Sequence, residues 1–457
     1  MPYARKKARQ KFGVWPFLKA IWIKGVVNMI RKNTNIPTKF GARAEFERLR
    51  AVAVHEPGIE AYFASIDPEP HVFSGTFNYE MAKMEHRRLV KILIKYGIDV
   101  FYVRDFAIEH PDFRKIFVDS LSYLFTDKDG NLVDVDEGCI SKLIENVDDY
   151  SKFQSALLNF VIERKGFDKN ALDADGANRS GFPMYHIKKI ISNLYFMRDQ
   201  QILTDKGFVL GNMRWPIRNC EPKITKMAFE SMKAPIVYEV TDDDVDFGDN
   251  KERGLEGGDY IPAGDFCLFG SARTSLRAVC SIMDAGAVGF DNVVYVHSPV
   301  EEYEKFMDEI GKKDNTEMRL MHLDTWFNII GNDLVFTSTR LAKAAKVEIF
   351  GKDENYRKVG ESTLYDYLTD RKFEICEMDI EMQPEACNFL TLDNKVILPY
   401  NCNKELQIGN WLEMRKRLKD YGVTVINDKG SDWGINIENL AEGYGGIHCM
   451  TCPLLRE

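Results

Sequence analysis

Beyond Glu45, short apolar runs rich in β-branched and aromatic residues alternate with stretches of helical periodicity. The apolar runs lie at residues 51–54, 100–103, 208–210, 266–269, 293–296, 333–336, 395–398 and 423–426. Candidate helices lie between them, at residues 79–95, 274–283 and 411–421. Because strands that alternate with helices are typical of α/β proteins, we predict an α/β fold.

Residues 105–187 break this alternation. Their pattern predicts mostly helix, at residues 111–124, 140–150 and 152–165. We therefore expect one α/β domain over residues 45–457, with a mostly helical insertion at about 105–187. Residues 1–44 form a separate extension, and the chain contains no literal sequence repeat.

The composition is that of a globular protein with a large core, since 45% of the 457 residues are hydrophobic and 29% are charged. The nine cysteines are an odd number, and only Cys449 and Cys452 form a C-x-x-C pair. This argues against a disulfide scaffold or zinc ribbon, so we infer a reducing, cytoplasmic compartment. No run reaches the roughly 18 to 20 apolar residues of a membrane span. Lys19 and Lys24 interrupt the apolar residues 15–29, unlike a secretory signal peptide.

The first 44 residues carry a charge opposite to that of the remaining chain. They contain eleven Lys or Arg residues and no Asp or Glu, so the formal net charge of −9 becomes −20 for residues 45–457. Cations alternate with apolar residues between Trp15 and Ile30, which favours an amphipathic helix that binds an anionic membrane surface or a partner. An extension that packs on its own protein or is partly disordered, and an organelle presequence, stay open. The acidic body disfavours nucleic-acid binding.

Two segments supply a thiol and an imidazole. Cys449 follows two glycines (445–446), whose lack of side chains lets the backbone turn sharply and present a nucleophile. His322 and Asp324 are two residues apart, so on a strand both side chains would face the same way. Taken singly, the cysteine could equally be an inert core residue, and the other two a surface pair.

Two further segments add carboxylates. Glu256 and Asp259 flank a Gly-Gly pair, and Asp199 follows Arg198 after an aromatic stretch. Alone, the first could be an acidic turn and the second a surface ion pair. Together with a thiol and an imidazole, these carboxylates indicate a nucleophilic site for a cationic substrate.

Several short motifs occur in one order along the chain, at residues 193–199, 215–218, 256–259, 273–275, 321–325 and 445–453. In this combination the chain resembles the arginine deiminases of the guanidino-group-modifying superfamily, from about Arg48 to the C-terminus. The resemblance implies a five-bladed pseudo-symmetric α/β propeller with a helical insertion. This expectation agrees with the alternating strands.

The resemblance also implies catalytic roles for the matched residues. Cys449 would be the nucleophile, His322 the general acid and base, and Glu256 the partner of His322. Asp199 and Asp324 would clasp the guanidinium group of the substrate.

Other matched residues would bind the rest of the substrate. Arg218 and Arg273 would hold its α-carboxylate, and the remaining pocket residues would be Asn193, Phe196 and Gly446. Two positions depart from the family pattern: Tyr444 replaces a common arginine in a mobile loop that concerns gating and selectivity, and Met197 replaces a usual threonine.

The implied activity is hydrolysis of L-arginine to L-citrulline and ammonia through a covalent cysteine thiouronium intermediate, without a metal or an organic cofactor. We also expect a homo-oligomer without a nucleic-acid partner. Hydrolysis or amidino transfer on another guanidino compound stays open, although the matched arginines favour an amino-acid carboxylate over agmatine. A non-catalytic arginine-binding or membrane-associated protein is the other alternative, which the intact nucleophile and base disfavour.

The basic extension generates a prediction. If residues 1–44 form an interfacial helix, deleting them should leave deiminase activity intact and abolish binding to anionic lipid vesicles. That binding should weaken as salt rises, because salt screens electrostatic attraction. Vesicle sedimentation of both proteins at low and high salt measures this. Equal sedimentation contradicts the interfacial helix, and loss of activity on truncation would indicate that the extension packs on its own domain.

Overall fold

A computed structural model of the chain describes residues 35–113, 115, 122–126, 129, 131–133, 148–158, 160–164, 184–187, 190–245, 254–313, 315–382, 386–401, 408–428 and 433–457. The described residues from Pro37 to Glu457 form one compact unit. Residues 1–34 of the predicted extension lie outside the described residues, so its amphipathic helix stays a prediction.

The strands in chain order are β1 (Leu49–Val54), β2 (Asp99–Tyr102), β3 (Ser122–Thr126), β4 (Leu132–Val133), β5 (Phe160–Arg164), β6 (Met184–Ile187), β7 (Gln201–Leu203), β8 (Phe208–Leu210), β9 (Ile236–Glu239), β10 (Tyr260–Pro262), β11 (Phe266–Gly270), β12 (Asn292–Val296), β13 (Phe327–Gly331), β14 (Leu334–Thr337), β15 (Lys346–Lys352), β16 (Tyr356–Thr363), β17 (Glu374–Glu377), β18 (Leu390–Asp393), β19 (Val396–Leu398), β20 (Tyr400–Asn401), β21 (Thr424–Val425), β22 (Ile435–Asn436) and β23 (Cys452–Arg456).

The α-helices are α1 (Ile59–Ala64), α2 (Tyr79–Lys95), α3 (Val103–Ala107), α4 (Asp149–Leu158), α5 (Glu221–Ser231), α6 (Leu276–Asp284), α7 (Val300–Glu309), α8 (Thr316–Arg319), α9 (Thr339–Ala344), α10 (Leu364–Asp370) and α11 (Ile408–Asp420). Their first turns show ordinary capping chemistry: the Asn78 side chain accepts from Met81 N–H at the start of α2, and Ser275 accepts from Ala278 N–H at the start of α6. None of the described helices is long and apolar enough to cross a membrane.

The described strands repeat one three-stranded unit five times. In each unit an outer strand runs antiparallel to a middle strand, which in turn runs parallel to a third strand. The units, in the order outer, middle and third strand, are β7-β8-β9, β10-β11-β12, β13-β14-β17, β18-β19-β21 and β23-β1-β2. Helices connect the middle strand to the third, as a parallel crossover requires. In the last unit the C-terminal strand pairs with the first strand, which joins the two ends of the domain.

The core lies beneath these sheets. β11 and β12 are buried almost throughout, so both carry continuous apolar runs instead of an alternating pattern. One cluster of buried side chains gathers around Trp326 and Phe327, and a second around Tyr260 and Phe269. The α/β class is therefore confirmed, and each of the eight apolar runs overlaps a strand.

In the described part of residues 105–187, the end of α3 and α4 are accompanied by a four-stranded sheet with the order β4-β3-β5-β6, so helix does not predominate there. Most of the predicted helix at 140–150 lies outside the described residues, and the mostly helical insertion as a whole stays a prediction. The helix predicted for 152–165 ends at Leu158, and the β-branched and aromatic run from Phe160 pairs with β3 instead. Short apolar runs satisfy a helical and a strand pattern equally well, and tertiary pairing decides between them.

Candidate active site

Each unit begins with a loop that carries a polar residue just before the outer strand. Asp199 lies two residues before β7, Asp259 directly before β10, Asp324 three before β13, Asn388 two before β18 and Cys449 three before β23. All five side chains are buried. The repeated topology therefore gathers residues that are far apart in sequence at corresponding positions.

Cys449 is held by Asn388 and Asp324. The Asn388 amide donates to Cys449 Sγ at 3.0 Å, and the thiol lies 3.5 Å from Asp324 Oδ2. Asn388 Oδ1 also accepts from the backbone N–H groups of Gly446 (3.0 Å) and Cys449 (3.1 Å). One amide side chain thus fixes both the nucleophile loop and the sulfur.

The thiol of Cys449 is neutral in this environment. Burial raises its pKa well above the ordinary value, and the charges of Asp324 and Asp199 raise it further, while the hydrogen bond from Asn388 opposes them. A thiolate therefore requires a positive charge to arrive in the site.

Two positions must be glycine, because a neighbouring side chain lies where a Cβ atom would be. A Cβ on Gly446 would overlap the Tyr400 ring, and one on Gly258 would lie 2.6 Å from His322 Nδ1. The Gly-Gly turns of the sequence motifs therefore make room for the nucleophile loop and for the imidazole.

His322 is paired with Glu256. His322 Nε2 lies 2.8 Å from Glu256 Oε2, and Nδ1 lies 3.9 Å from Asp199 Oδ1. Burial lowers the pKa of His322, but the charge of Asp199 and the hydrogen bond to Glu256 outweigh it and raise the pKa to about 9. Burial raises the pKa of Glu256, but Arg273 and His322 together hold it well below its usual range. The pair is therefore an imidazolium beside a carboxylate at neutral pH.

The predicted strand geometry of the histidine segment is wrong. His322 is extended, but residues Leu323–Thr325 form a 3-10 turn. Asp259 stabilises the start of this turn, because its carboxylate accepts from the backbone N–H groups of Leu323 and Arg273, both at 2.9 Å. The turn still leaves both His322 and Asp324 buried at the site.

The two predicted carboxylate-binding arginines differ in their free donors. Arg218 donates to Asp199 Oδ2 at 2.9 Å and to both oxygens of Glu221. Arg273 Nη1 lies 3.3 Å from Glu256 Oε2, whereas its Nε and Nη2 find no hydrogen-bond partner among the described residues. Arg273 therefore has buried donors to offer an anion, while Arg218 is engaged by protein carboxylates.

Two buried carboxylate oxygens of the site, Asp199 Oδ1 and Asp324 Oδ1, also lack a hydrogen-bond partner among the described residues. The second oxygen of each aspartate is occupied, by Arg218 and by His448 respectively. Buried acceptors normally find donors. Next to a thiol, these free oxygens offer a site to a cation that carries several N–H groups.

Asn193 and Phe196 lie on the segment before Asp199. Asn193 Nδ2 donates to the His71 carbonyl at 2.9 Å, and its Oδ1 is buried without a partner in the described part of the chain. Phe196 packs on Tyr195, with ring centroids 4.1 Å apart. Met197 is fully buried.

Sequence reasoning missed His448, which connects the site to a buried ionic cluster. His448 Nδ1 lies 2.7 Å from Asp324 Oδ2, and Nε2 lies 3.3 Å from Glu45 Oε1. Glu45 also pairs with Arg456 (2.5 Å) and Arg198 (3.5 Å). The sequence signal that could have pointed to His448 is its position directly before Cys449. Asn388 and Glu221 were also missed, and Asn388 is recognisable only from its place before β18.

A metal ion is disfavoured by charge. Asp199, Glu256 and His322 place potential ligand atoms within 4.8 Å of one another. Arg218 and Arg273 already neutralise the two carboxylates, and the imidazole is protonated. A further cation there would have to displace these partners.

A family model for arginine deiminase matches residues 71–456. The chain belongs to the arginine deiminase family. Similar proteins include arginine deiminases of Halobacterium salinarum (27% identity over 481 residues, covering 92% of this chain and 97% of that protein) and Mycoplasma capricolum (24% over 446 residues, covering 92% and 98%). Among solved structures, an amidinotransferase from Microseira wollei matches with a TM-score of 0.50 at 12% identity, covering 92% of this chain and 97% of that one. That likeness supports a shared α/β fold.

The raised pKa of His322 generates a prediction. Asp199→Asn removes a negative charge beside the imidazole and should lower that pKa below about 9, measured by NMR titration of labelled histidine. A pKa raised from 6.5 contributes stability that is complete below pH 6.5 and is lost as the pH rises through about 9. The free energy of unfolding of the parent should therefore fall more over this range than that of the variant.

The exposed Asp370, at the end of α10, supplies the control. Asp370→Asn also removes one negative charge but should leave the His322 titration unchanged. If Asp199→Asn leaves that titration in place as well, the raised pKa does not come from Asp199.

Proposed function

We propose that this protein hydrolyses L-arginine to L-citrulline and ammonia through a covalent intermediate on Cys449. The observation that carries the proposal is the pair of free, buried oxygens on Asp199 and Asp324 beside a buried thiol. Membership of the arginine deiminase family supports the same reaction.

The guanidinium group of arginine fits these acceptors. It is planar and carries five N–H donors, so two carboxylates can orient its central carbon from opposite sides. Asp199 Oδ1 and Asp324 Oδ1 would accept from it, with Cys449 Sγ 3.5 Å from the other oxygen of Asp324. The arriving cation would also favour ionisation of the thiol, whose pKa the two aspartates raise, and the thiol proton would pass to solvent.

The first half of the reaction replaces a C–N bond with a C–S bond. The Cys449 thiolate attacks the guanidinium carbon, and the imidazolium of His322 gives its proton to the departing nitrogen, which leaves as ammonia. The product on the enzyme is an S-alkylthiouronium. His322 suits this step because Glu256 and Asp199 keep it protonated at neutral pH.

The second half restores the thiol. His322, now neutral, takes a proton from water as the water oxygen attacks the thiouronium carbon. The C–S bond then breaks as the new C–O bond becomes the carbonyl of the ureido group of citrulline, and the hydroxyl proton of the intermediate passes to the sulfur. Glu256 stabilises the imidazolium that forms.

The amino-acid end of the substrate would be held chiefly by Arg273, because its Nε and Nη2 have no partner among the described residues. Arg218 would act at the same end only if it exchanged a contact with Glu221 or used a remaining N–H. Asn193, Phe196 and Gly446 would line the rest of the pocket.

We also propose several features of the whole protein: its architecture, its oligomeric state, its location and its partners. The five repeated strand units support a closed five-bladed propeller around the site. Five further expectations stay predictions: a domain over residues 45–457, a homo-oligomer, a cytoplasmic location, the lack of a nucleic-acid partner, and peripheral membrane contact through residues 1–44. The described cysteines are all free thiols, which fits a reducing compartment.

The nucleophile assignment predicts different outcomes for two cysteines. Cys449→Ser should abolish citrulline formation, detected by mass spectrometry, while arginine still binds in calorimetry. Cys452→Ala is the matched control and should keep most activity, because Cys452 Sγ contacts the Pro453 carbonyl instead of the aspartates. Substantial turnover by Cys449→Ser would sink the assignment.

The free donors of Arg273 predict carboxylate selectivity. Removing one partner of a desolvated charge pair costs about 2 to 5 kcal/mol, so Arg273→Ala should raise the KM for arginine at least about 25-fold. Agmatine, which lacks the carboxylate, should be a poor substrate of the parent. Steady-state kinetics on both compounds measures this, with the exposed Arg277→Ala as control. A fall in kcat without a rise in KM would mean that Arg273 acts through Glu256 alone.

A further inference from the structure

A carboxylate from α2 holds the start of the segment that leads to Cys449. Glu85 is 2% exposed. Its oxygens accept from the Asn439 N–H (3.0 Å), Asn439 Nδ2 (2.7 Å) and the Leu440 N–H (2.9 Å). Since 354 residues separate Glu85 from Asn439, this contact exists only in the folded chain.

Glu85 caps a helical turn from outside. Residues Leu440–Gly443 form a 3-10 turn, and the side chain of Asn439, the residue before it, makes no capping hydrogen bond. The first N–H groups of such a turn need acceptors, and negative charge is favourable there. Burial raises the pKa of Glu85, and the hydrogen bonds from Asn439 and Leu440 only partly oppose it.

The segment fixed by Glu85 packs against the substrate pocket. A Cβ on Gly443 would lie 2.7 Å from the Phe196 ring, and one on Gly445 would overlap the same ring. Tyr444, between them, has φ +66°, a left-handed conformation that is unfavourable for a residue with a side chain. A chain in this conformation needs contacts that hold it.

The two ends of the segment have separate anchors. Asn388 holds Gly446 and Cys449 at the far end, close to the sulfur. Glu85 holds Asn439 and Leu440, nine or more residues before the nucleophile. Loss of the Glu85 contact would therefore loosen the wall beside Phe196 while Asn388 still positions the thiol.

We propose that Glu85 is a positioning residue that fixes residues 439–445 and thereby shapes the wall of the substrate pocket. This inference rests on the proposed arginine hydrolysis. Glu85 on α2, a helix remote in sequence from Cys449, would then contribute to arginine binding without taking part in the chemical step.

A double-mutant cycle tests this inference. Glu85→Gln, Asn439→Ala and the combined variant are compared with the parent for arginine kinetics and for limited proteolysis within residues 437–446. Glu80→Gln is the matched control, because Glu80 lies on the same helix and its side chain is 67% exposed. Asn439→Ala removes the Nδ2 hydrogen bond to Glu85 from the other side, while the backbone N–H groups of Asn439 and Leu440 still donate to Glu85, and it keeps the test valid if Glu85→Gln folds poorly.

Glu85→Gln should raise the KM for arginine about tenfold, Asn439→Ala should raise it less because two backbone hydrogen bonds to Glu85 remain, and both should change kcat less than about threefold. The double variant should raise KM by less than the product of the two single effects, because the hydrogen bond that Asn439→Ala removes ends on Glu85. Cleavage within 437–446 should accelerate in all three and stay at the parental rate in Glu80→Gln.

The inference is overturned if the KM of Glu85→Gln stays within about twofold of the parent, if its kcat falls while KM holds, or if the effects of the two substitutions add fully. Failure of the proposed function looks different, because the parent itself would then form no citrulline. The proteolysis comparison still reports whether Glu85 fixes the segment in that case.

Discussion

The centre of this protein depends on keeping several carboxylates ionised away from water. An unpaired charge at such depth costs several kcal/mol, so every buried acid needs a cation or a set of N–H donors. Arg273 and His322 flank Glu256, and Arg218 neutralises Asp199. Hydrogen-bond partners are lacking among the described residues for Asp199 Oδ1, Asp324 Oδ1 and two donor groups of Arg273. These unsatisfied atoms are where a substrate with the opposite pattern of charge would bind.

The repeated strand unit brings these buried polar residues together. Because each outer strand is preceded by a short loop, five loops deliver Asp199, Asp259, Asp324, Asn388 and Cys449 from corresponding positions. Pairing of β23 with β1 places the loop that carries Cys449 in the same series. The polar residues are thereby held by backbone ladders on well-packed sheets, and their side chains have little freedom to relax towards water.

The sequence predicts the reacting groups because each stands in a short motif that resembles those of the arginine deiminases. Cys449 follows glycines that a close approach requires, and Glu256 precedes a glycine against which His322 packs. Asn388 had no such context: it lies between ordinary apolar residues, and only its position before β18 relates it to Asp199. The helical expectation for residues 152–165 failed because an apolar run fits both periods, and pairing with β3 decided it.

The sequence by itself determined the α/β class and the positions of eight strands, since periodicity carries that information, and its resemblance to the arginine deiminases predicted the nucleophile, base and carboxylates. Tertiary structure alone decided which partners those residues have. Asn388 reaches Cys449 across 61 residues, His448 reaches Asp324 across 124, and Glu85 reaches Asn439 across 354. Hydrogen bonds and buried charges depend on distances of a few ångströms, and contacts between residues so far apart in sequence are set by the packing of sheets and helices, which no local pattern records.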